Sequence, residues 1–387
     1  MTKPRIAFIV NHAAFFVSHR LPIAVAARFA GYSVKLFTGK AGSLVMERLA
    51  EKCLQDERIE HTRVGFSSSG LNPLFEGFGL IQLLLSVIRY RPNIIHCASP
   101  KGVLYGGLIA RLCRVKGLVI AISGMGYVFT RDARGGFLSE IVKRVYRLIF
   151  VWVLGHPNVY VIVQNCDDLN YILNSGRLRV NRIVCIPGSG IHLDKYINPA
   201  GNNKEAIVLF PSRMLRDKGI EDFVEAARIV KKIASGWRFV AAGAADYKNP
   251  SAVSKDVISK WVDEGLIEWI GHVEDMIELF RISAIVCLPS YREGFPKALI
   301  EAAASGCAVI TTDAIGCREA IYPGVTGDLV PVGNSKDLAD AILRLITNTE
   351  RRDAYGSAGV RMAMDRFAIE DVIKKTLTIY SDLLCSP

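Results

Sequence analysis

Short runs of β-branched and apolar residues recur along the chain, alternating with segments whose apolar positions repeat every three or four residues. Ile6–Val10, Val34–Phe37, Ile94–Cys97, Leu118–Ile122, Val159–Val163 and Ile183–Ile186 read as strands, because each is short, apolar and bounded by turn residues. The pattern pauses at Pro187-Gly188-Ser189-Gly190 and the polar stretch Asn198 to Lys204. It restarts at Ile207–Phe210, Phe239–Ala242, Ile267–Ile270, Ile285–Leu288 and Val309–Thr311. Strands alternating with helical patterns predict parallel sheets covered by helices. The fold class is therefore α/β, two Rossmann-like domains facing an interdomain cleft, with residues 1–190, a linker at 191–204, residues 205–368, and a final helix at 369–387. Ligands of such sheets sit beyond the carboxyl ends of the strands, and Arg213, Glu293 and Asp313 all follow predicted strands.

Glu293-Gly294-Phe295-Pro296-Lys297-Ala298-Leu299-Ile300-Glu301 places two carboxylates around a Gly-Phe-Pro turn. Pro296 suits the first position of a helix, since its φ is pre-set and it has no N–H to leave unpaired. Glu293 then lies on the entry loop and Glu301 about a turn and a half inside. The positive end of that helix, at Lys297 and Ala298, attracts an anion such as phosphate. Upstream, Ser212 to Gly219 forms a basic loop between a strand and a helix. Arg213, a planar fork, and Lys218, a mobile point charge, are expected to converge on one multiply charged oxyanion. Either motif alone also fits ordinary solvated charges; the pair, in order and about 80 residues apart, is more specific.

With both motifs in place, the chain resembles the retaining glycosyltransferases of family 4, which have the GT-B fold and use nucleotide-diphosphate sugars. The resemblance spans nearly the whole chain. It implies that Arg213 and Lys218 hold the donor diphosphate, that Glu293 contacts the transferred sugar, and that Glu301 binds ribose hydroxyls. Gly294, Phe295, Pro296 and Lys297 would line the donor pocket, with Val273 also on the donor side. It further implies that the last helix crosses back to the first domain.

Charge is divided unevenly. The first 200 residues hold 25 Lys and Arg against 11 Asp and Glu, whereas the remaining 187 hold 23 against 26. The field of the N-terminal half attracts phosphates, anionic lipid headgroups or nucleic acid. Nine scattered cysteines without a Cys-x-x-Cys spacing suggest neither a disulfide framework nor a zinc site. No Asp-x-Asp occurs, so no metal and no cofactor is expected, the cations and the helix N-terminus taking a metal's place. The start, Met1 to Pro4, leads into a strand without the regions of a signal peptide, and the apolar runs fall short of the ~20 residues that span a bilayer. The expected location is the cytoplasm, peripheral on the inner face of the cell membrane.

On the acceptor side, Asn11 to Pro22 contains Ser18-His19-Arg20-Leu21-Pro22, which resembles a segment of bacterial polysaccharide and O-antigen sugar transferases. Asn11, His19 and Arg20 are acceptor or cleft candidates, although a His near a helix start also serves as a cap or packing residue. Ser123 and Gly124 open a Gly-x-Gly-Tyr-x-Phe segment similar to that subgroup's, with Ser123-Gly124 where many relatives have His-Gly; the glycines also fit a plain tight turn. The chain also lacks the Gly-rich turn that many relatives have after the first strand. Residues 137–150 mix cations with a wide apolar stripe and suit either a membrane-surface helix or an ordinary covering helix. Leu83 to Arg91 shares that ambiguity.

The sequence thus predicts a retaining hexosyl- or N-acetylhexosaminyltransferase. Its expected partners are a UDP-sugar donor, a polyprenyl-diphosphate-linked (undecaprenyl diphosphate) glycan acceptor, as in lipopolysaccharide O-antigen or other envelope polysaccharide assembly, and anionic lipid, with no nucleic acid. The rivals are a transferase with a soluble acceptor, a nucleotide-sugar epimerase, and a basic nucleic-acid-binding protein, the last lacking a recognition motif. A dehydrogenase ranks low because no Gly-x-Gly-x-x-Gly follows the first strand.

Overall fold

The computed structural model describes residues 3–40, 44–67, 73–124, 137–174, 178–197, 203–247 and 249–385. The chain divides into two units, residues 1–189 together with 370–387, and residues 190–369.

The first unit is built on seven strands: β1 (Arg5–Val10), β2 (Ser33–Lys40), β3 (Glu60–Ser67), β4 (Ile94–Ala98), β5 (Gly117–Ile122), β6 (Val159–Val163) and β7 (Ile183–Cys185). They form one sheet in the order β3-β2-β1-β4-β5-β6-β7, and each neighbouring pair is parallel. β4 and β5 are buried at every position, as expected for parallel strands covered on both faces. The second unit holds β8 (Glu205–Phe210), β9 (Arg238–Ala242), β10 (Glu268–Gly271), β11 (Ser283–Leu288), β12 (Ala308–Thr312) and β13 (Gly327–Val330). Their order is β10-β9-β8-β11-β12-β13, again parallel throughout. Each unit is a Rossmann-like layer of helices on a parallel sheet, as the hydrophobic pattern predicts.

Two strands escaped the pattern, and both are sheet edges. β3 carries Glu60, His61, Thr62 and Arg63 and buries only Val64 and Phe66; a strand with one free edge tolerates polar residues. β13 opens with Gly327, whose place a Cβ could not share, since it would lie 2.2 Å from the Val309 carbonyl oxygen. Its Asp328 is buried, yet it meets Arg351 at 3.1 Å and the Tyr355 hydroxyl at 2.7 Å, so the charge is paired as burial requires.

The last helix, Ile369–Cys385, belongs almost wholly to the first unit. Asn158 Nδ2 donates to the Leu383 carbonyl at 3.0 Å and Lys116 Nζ to that of Leu384 at 2.7 Å. Tyr380 is fully buried, its hydroxyl 2.5 Å from His96 Nδ1, and the His96 ring stacks on Phe8 at 4.9 Å. Burial, with Arg20 nearby, holds the His96 imidazole well below its usual pKa, so His96 is neutral. Tyr380→Phe should lower stability by about 1–3 kcal/mol, because the partner nitrogen stays buried without its bond. Tyr380→Ala should cost about 3–5 kcal/mol through the added cavity. Denaturant unfolding of both variants checks the order and the sizes.

Candidate active site

In the second unit β8 and β11 are neighbours, so the loops beyond their carboxyl ends lie side by side. Their contact depends on Gly219. It sits at φ +75°, and a Cβ there would fall 2.1 Å from the Pro289 carbonyl oxygen; only glycine allows both the backbone conformation and the approach. The loop after β8 tightens into a 3₁₀ turn at Arg216–Lys218, and the Tyr291 N–H donates to the Asp217 carbonyl at 3.0 Å. The helix Ile220–Val230 follows and buries Ile220, Phe223, Val224 and Ala227.

This approach brings Lys218 to Glu293. Lys218 Nζ lies 2.5 Å from Glu293 Oε1, with side-chain exposures of 20% and 14%. Ser290 Oγ donates to the same oxygen at 2.8 Å. The Glu293 N–H donates to the Ile315 carbonyl at 3.0 Å, and Gly316, at φ +78°, lets its backbone pass where a Cβ would stand 2.4 Å from the Glu293 carbonyl oxygen. The carboxylate is thus held through its backbone and by two donors on one oxygen.

The second carboxylate is fixed separately. The helix runs Lys297–Ala304, so Pro296 is its capping residue, with extended ψ of 108°, rather than its first helical residue. Phe295, 8% exposed, anchors the turn edge-on against Phe367 at 5.5 Å, and Gly294 leads into it. Glu301 is 9% exposed. Its Oε1 accepts from the Tyr196 hydroxyl at 2.6 Å and lies 3.3 Å from Lys297 Nζ. Burial and the Glu301 charge push the Tyr196 phenol far up, so Tyr196 is the donor. Val273 follows β10 and packs partly buried against the same core.

The two predicted cations do not share one partner. Arg213 is half-exposed and pairs with Asp246 at 2.9 Å, while Lys218 pairs with Glu293. Asp246, Ser290 and Tyr196 contact the candidate residues Arg213, Glu293 and Glu301, and the motifs missed all three. Tyr196 is 105 positions from Glu301, and no spacing rule links them. Among the described residues, no group of three or more His, Cys, Asp or Glu side chains gathers as a metal site.

In the first unit Asn11 is engaged locally. Its Oδ1 accepts from the N–H groups of Lys101 and Gly102 at 3.1 and 3.2 Å and from Ser99 Oγ at 2.8 Å, capping the helix Pro100–Leu112. His19 ends the helix Ala13–His19 and stacks on Phe15 at 4.6 Å. The cap of that helix is His12, whose Nδ1 accepts from the Phe15 N–H at 3.2 Å. Arg20 departs from its expected place: it is 3% exposed, beside the His96–Tyr380 pair, and bonds back to the His19 carbonyl at 3.0 Å. Burial pushes its guanidinium down to about 10. Ser123 and Gly124, half-buried, follow β5, with Gly124 at φ +99°. The rest of that Gly-x-Gly-Tyr-x-Phe segment lies outside the described residues.

Comparison with known proteins adds a second line of observation. The family model described as "Glycosyl transferases group 1" matches residues 194–362 and "Glycosyl transferase 4-like" matches residues 5–151. The chain is similar to the N,N'-diacetylbacillosaminyl-diphospho-undecaprenol alpha-1,3-N-acetylgalactosaminyltransferase of Campylobacter jejuni, at 26% identity over 90% of this chain and 91% of that one. It is also similar to the capsular polysaccharide biosynthesis glycosyltransferase CapM of Staphylococcus aureus, at 22% identity over 79% of this chain and 80% of the other. Among solved structures, HepE of Anabaena in complex with UDP superposes with a TM-score of 0.75 at 18% identity, covering 98% of this chain and all of that one.

Gly219→Ala forces a Cβ into the Pro289 carbonyl and a non-glycine residue into the left-handed region. It should cost at least about 1–3 kcal/mol and separate Lys218 from Glu293. Denaturant unfolding reads the first effect; a stability equal to wild type would refute the close-approach account.

Proposed function

The chain belongs to the family 4 glycosyltransferases with the GT-B fold, and we propose that it moves a hexose or N-acetylhexosamine from a UDP-sugar to a polyprenyl-diphosphate-linked saccharide, with retention of anomeric configuration. Its setting is the assembly of bacterial glycans. The observation that carries the reading is the Lys218–Glu293 contact at 2.5 Å beyond the ends of β8 and β11. It joins the basic loop and the Glu-x7-Glu turn at one point. Support for the acceptor class comes from the Campylobacter jejuni relative, whose name states a diphospho-undecaprenol substrate. Support for the nucleotide comes from the UDP bound to HepE.

The chemistry follows from the charges. As the bond between sugar and diphosphate breaks, negative charge grows on the leaving phosphate oxygens, and preorganised cations stabilise that state most. Of the three cations on this loop, Arg216 pairs with Glu221 of the following helix at 3.0 Å, and Lys218 and Arg213 are the two taken to meet the diphosphate. Each already faces a carboxylate, so a donor diphosphate would compete with Glu293 for Lys218 and with Asp246 for Arg213. Drawing Lys218 toward the phosphate leaves the Glu293 carboxylate, still held by Ser290, to accept hydrogen bonds from the sugar. Tyr196 and Lys297 both hold Oε1 of Glu301, which leaves Oε2 to accept from the ribose hydroxyls. The charge compensation comes from side chains, so transfer is metal-independent.

Incubation of the purified chain with a panel of UDP- and GDP-sugars and a bacterial lipid extract tests the reading, with sugar incorporation into lipid as the readout. Incorporation from a UDP-sugar is expected; transfer only to a water-soluble acceptor would overturn the acceptor class. Glu293→Gln should reduce kcat at least about a hundredfold, equivalent to roughly 3 kcal/mol of barrier, with the unfolding curve unchanged. Excess EDTA should leave the wild-type rate within about twofold, because a bound metal supplying transition-state charge would be worth several kcal/mol.

A further inference from the structure

The helix Pro73–Tyr90 is apolar on both sides. Gly79, Leu83 and Val87 face inward; a Cβ at Gly79 would lie 2.3 Å from the Phe66 nitrogen, so the helix is pressed onto β3. The opposite side carries Leu74, Phe78, Ile81, Leu85 and Ile88 at 84%, 58%, 56%, 60% and 51% exposure. Their spacing of four and three places them in one stripe along most of a helix about 27 Å long. An outward helix face is ordinarily polar, and a contiguous apolar patch of several hundred Å² marks an interaction surface.

The charges that follow this stripe along the chain are of one sign, and the nearby acid of β3, Glu60, is paired with Lys35 at 3.4 Å. Residues 77–124 contain Arg89, Arg91, Lys101, Arg111, Arg114 and Lys116 and no Asp or Glu. Arg89, Arg91, Arg114 and Lys116 are exposed. The helix's own acid, Glu76, is turned inward: it pairs with Lys101 at 2.8 Å and accepts from the Tyr105 hydroxyl at 2.6 Å. The helix Pro100–Leu112 packs against this helix and against Phe137–Leu154, where Arg144, Val145, Arg147 and Leu148 are exposed. A broad apolar stripe with cations and no exposed acid on its own helix matches a helix lying in the headgroup region of an anionic bilayer.

We infer that the outer face of Pro73–Tyr90 is the membrane-docking surface of this protein and that its partner is an anionic phospholipid bilayer. The inference deepens the lipid-linked acceptor reading, on which it rests for its purpose. It assigns the contact to this helix, where the exposed apolar positions run from Leu74 to Ile88, rather than to the basic segment at residues 137–150.

Flotation of the full chain with vesicles tests it without any turnover. Wild type should float with vesicles of phosphatidylglycerol and phosphatidylcholine and much less with phosphatidylcholine alone. Phe78→Ser/Leu85→Ser should weaken binding at least about tenfold with an unchanged unfolding curve, and Arg89→Gln/Arg91→Gln should weaken it toward anionic vesicles only. No binding by wild type, or equal binding by Phe78→Ser/Leu85→Ser, would overturn the inference. So would a wild-type dimer that this double variant turns into monomer while vesicle binding stays. Sugar transfer to a detergent-dispersed lipid acceptor, measured in parallel, reports on the enzymatic reading alone: the double variant should retain wild-type turnover there.

Discussion

The candidate site depends on the close passage of two backbones at Gly219 and Pro289. β8 and β11 are hydrogen-bonded neighbours, so their following loops start a strand spacing apart. A side chain at position 219 would hold those loops apart, and without one they touch. Lys218 reaches Glu293 because of that contact. Two unit charges in a half-buried setting attract by about 4 kcal/mol at 4 Å and an effective dielectric near 20, but desolvation of both offsets much of the gain. The pair is therefore weak evidence of stability design. Its value lies in position: the lysine is held beside a carboxylate that is itself anchored by Ser290 and by its own N–H, which is the arrangement the proposed diphosphate contact requires.

How much of this was legible in the sequence follows from where each interaction originates. The buried strands were readable because both of their faces are covered, so burial imprints an apolar run. β3 and β13 were not, because an edge strand need satisfy only one neighbour and can carry Glu60 or Asp328. Lys218, Glu293 and Glu301 stand out as candidates in the sequence because loop and helix-entry chemistry is local. Their partners do not. Tyr196 meets Glu301, and Asp246 meets Arg213, through the packing of separate strands and helices, which leaves no periodic trace.

Arg20 shows the same limit from the other direction. A cation within the Ser18-His19-Arg20-Leu21-Pro22 segment reads locally as a ligand contact. Its surroundings are supplied by Tyr380, 360 positions later, and by His96 from β4. The final helix covers it, and burial lowers its pKa instead of leaving it for a phosphate. A residue's local setting can suggest a role that a distant element removes.

The division of charge gains a physical meaning from these contacts. In the first 200 residues, 25 cations face 11 acids, so even perfect pairing within that stretch would leave most of its cations without a carboxylate of their own. The candidate-site residues of the second unit draw on the other half, where cations and acids nearly balance and Lys218 and Arg213 each have a carboxylate. The surplus is thus not spent on the candidate site. Net positive charge on a compact unit works against its own folding through self-repulsion. A surface that keeps such a surplus next to an exposed apolar stripe is suited to a partner that relieves both at once, by neutralising cations and removing apolar area from water, and an anionic bilayer does so.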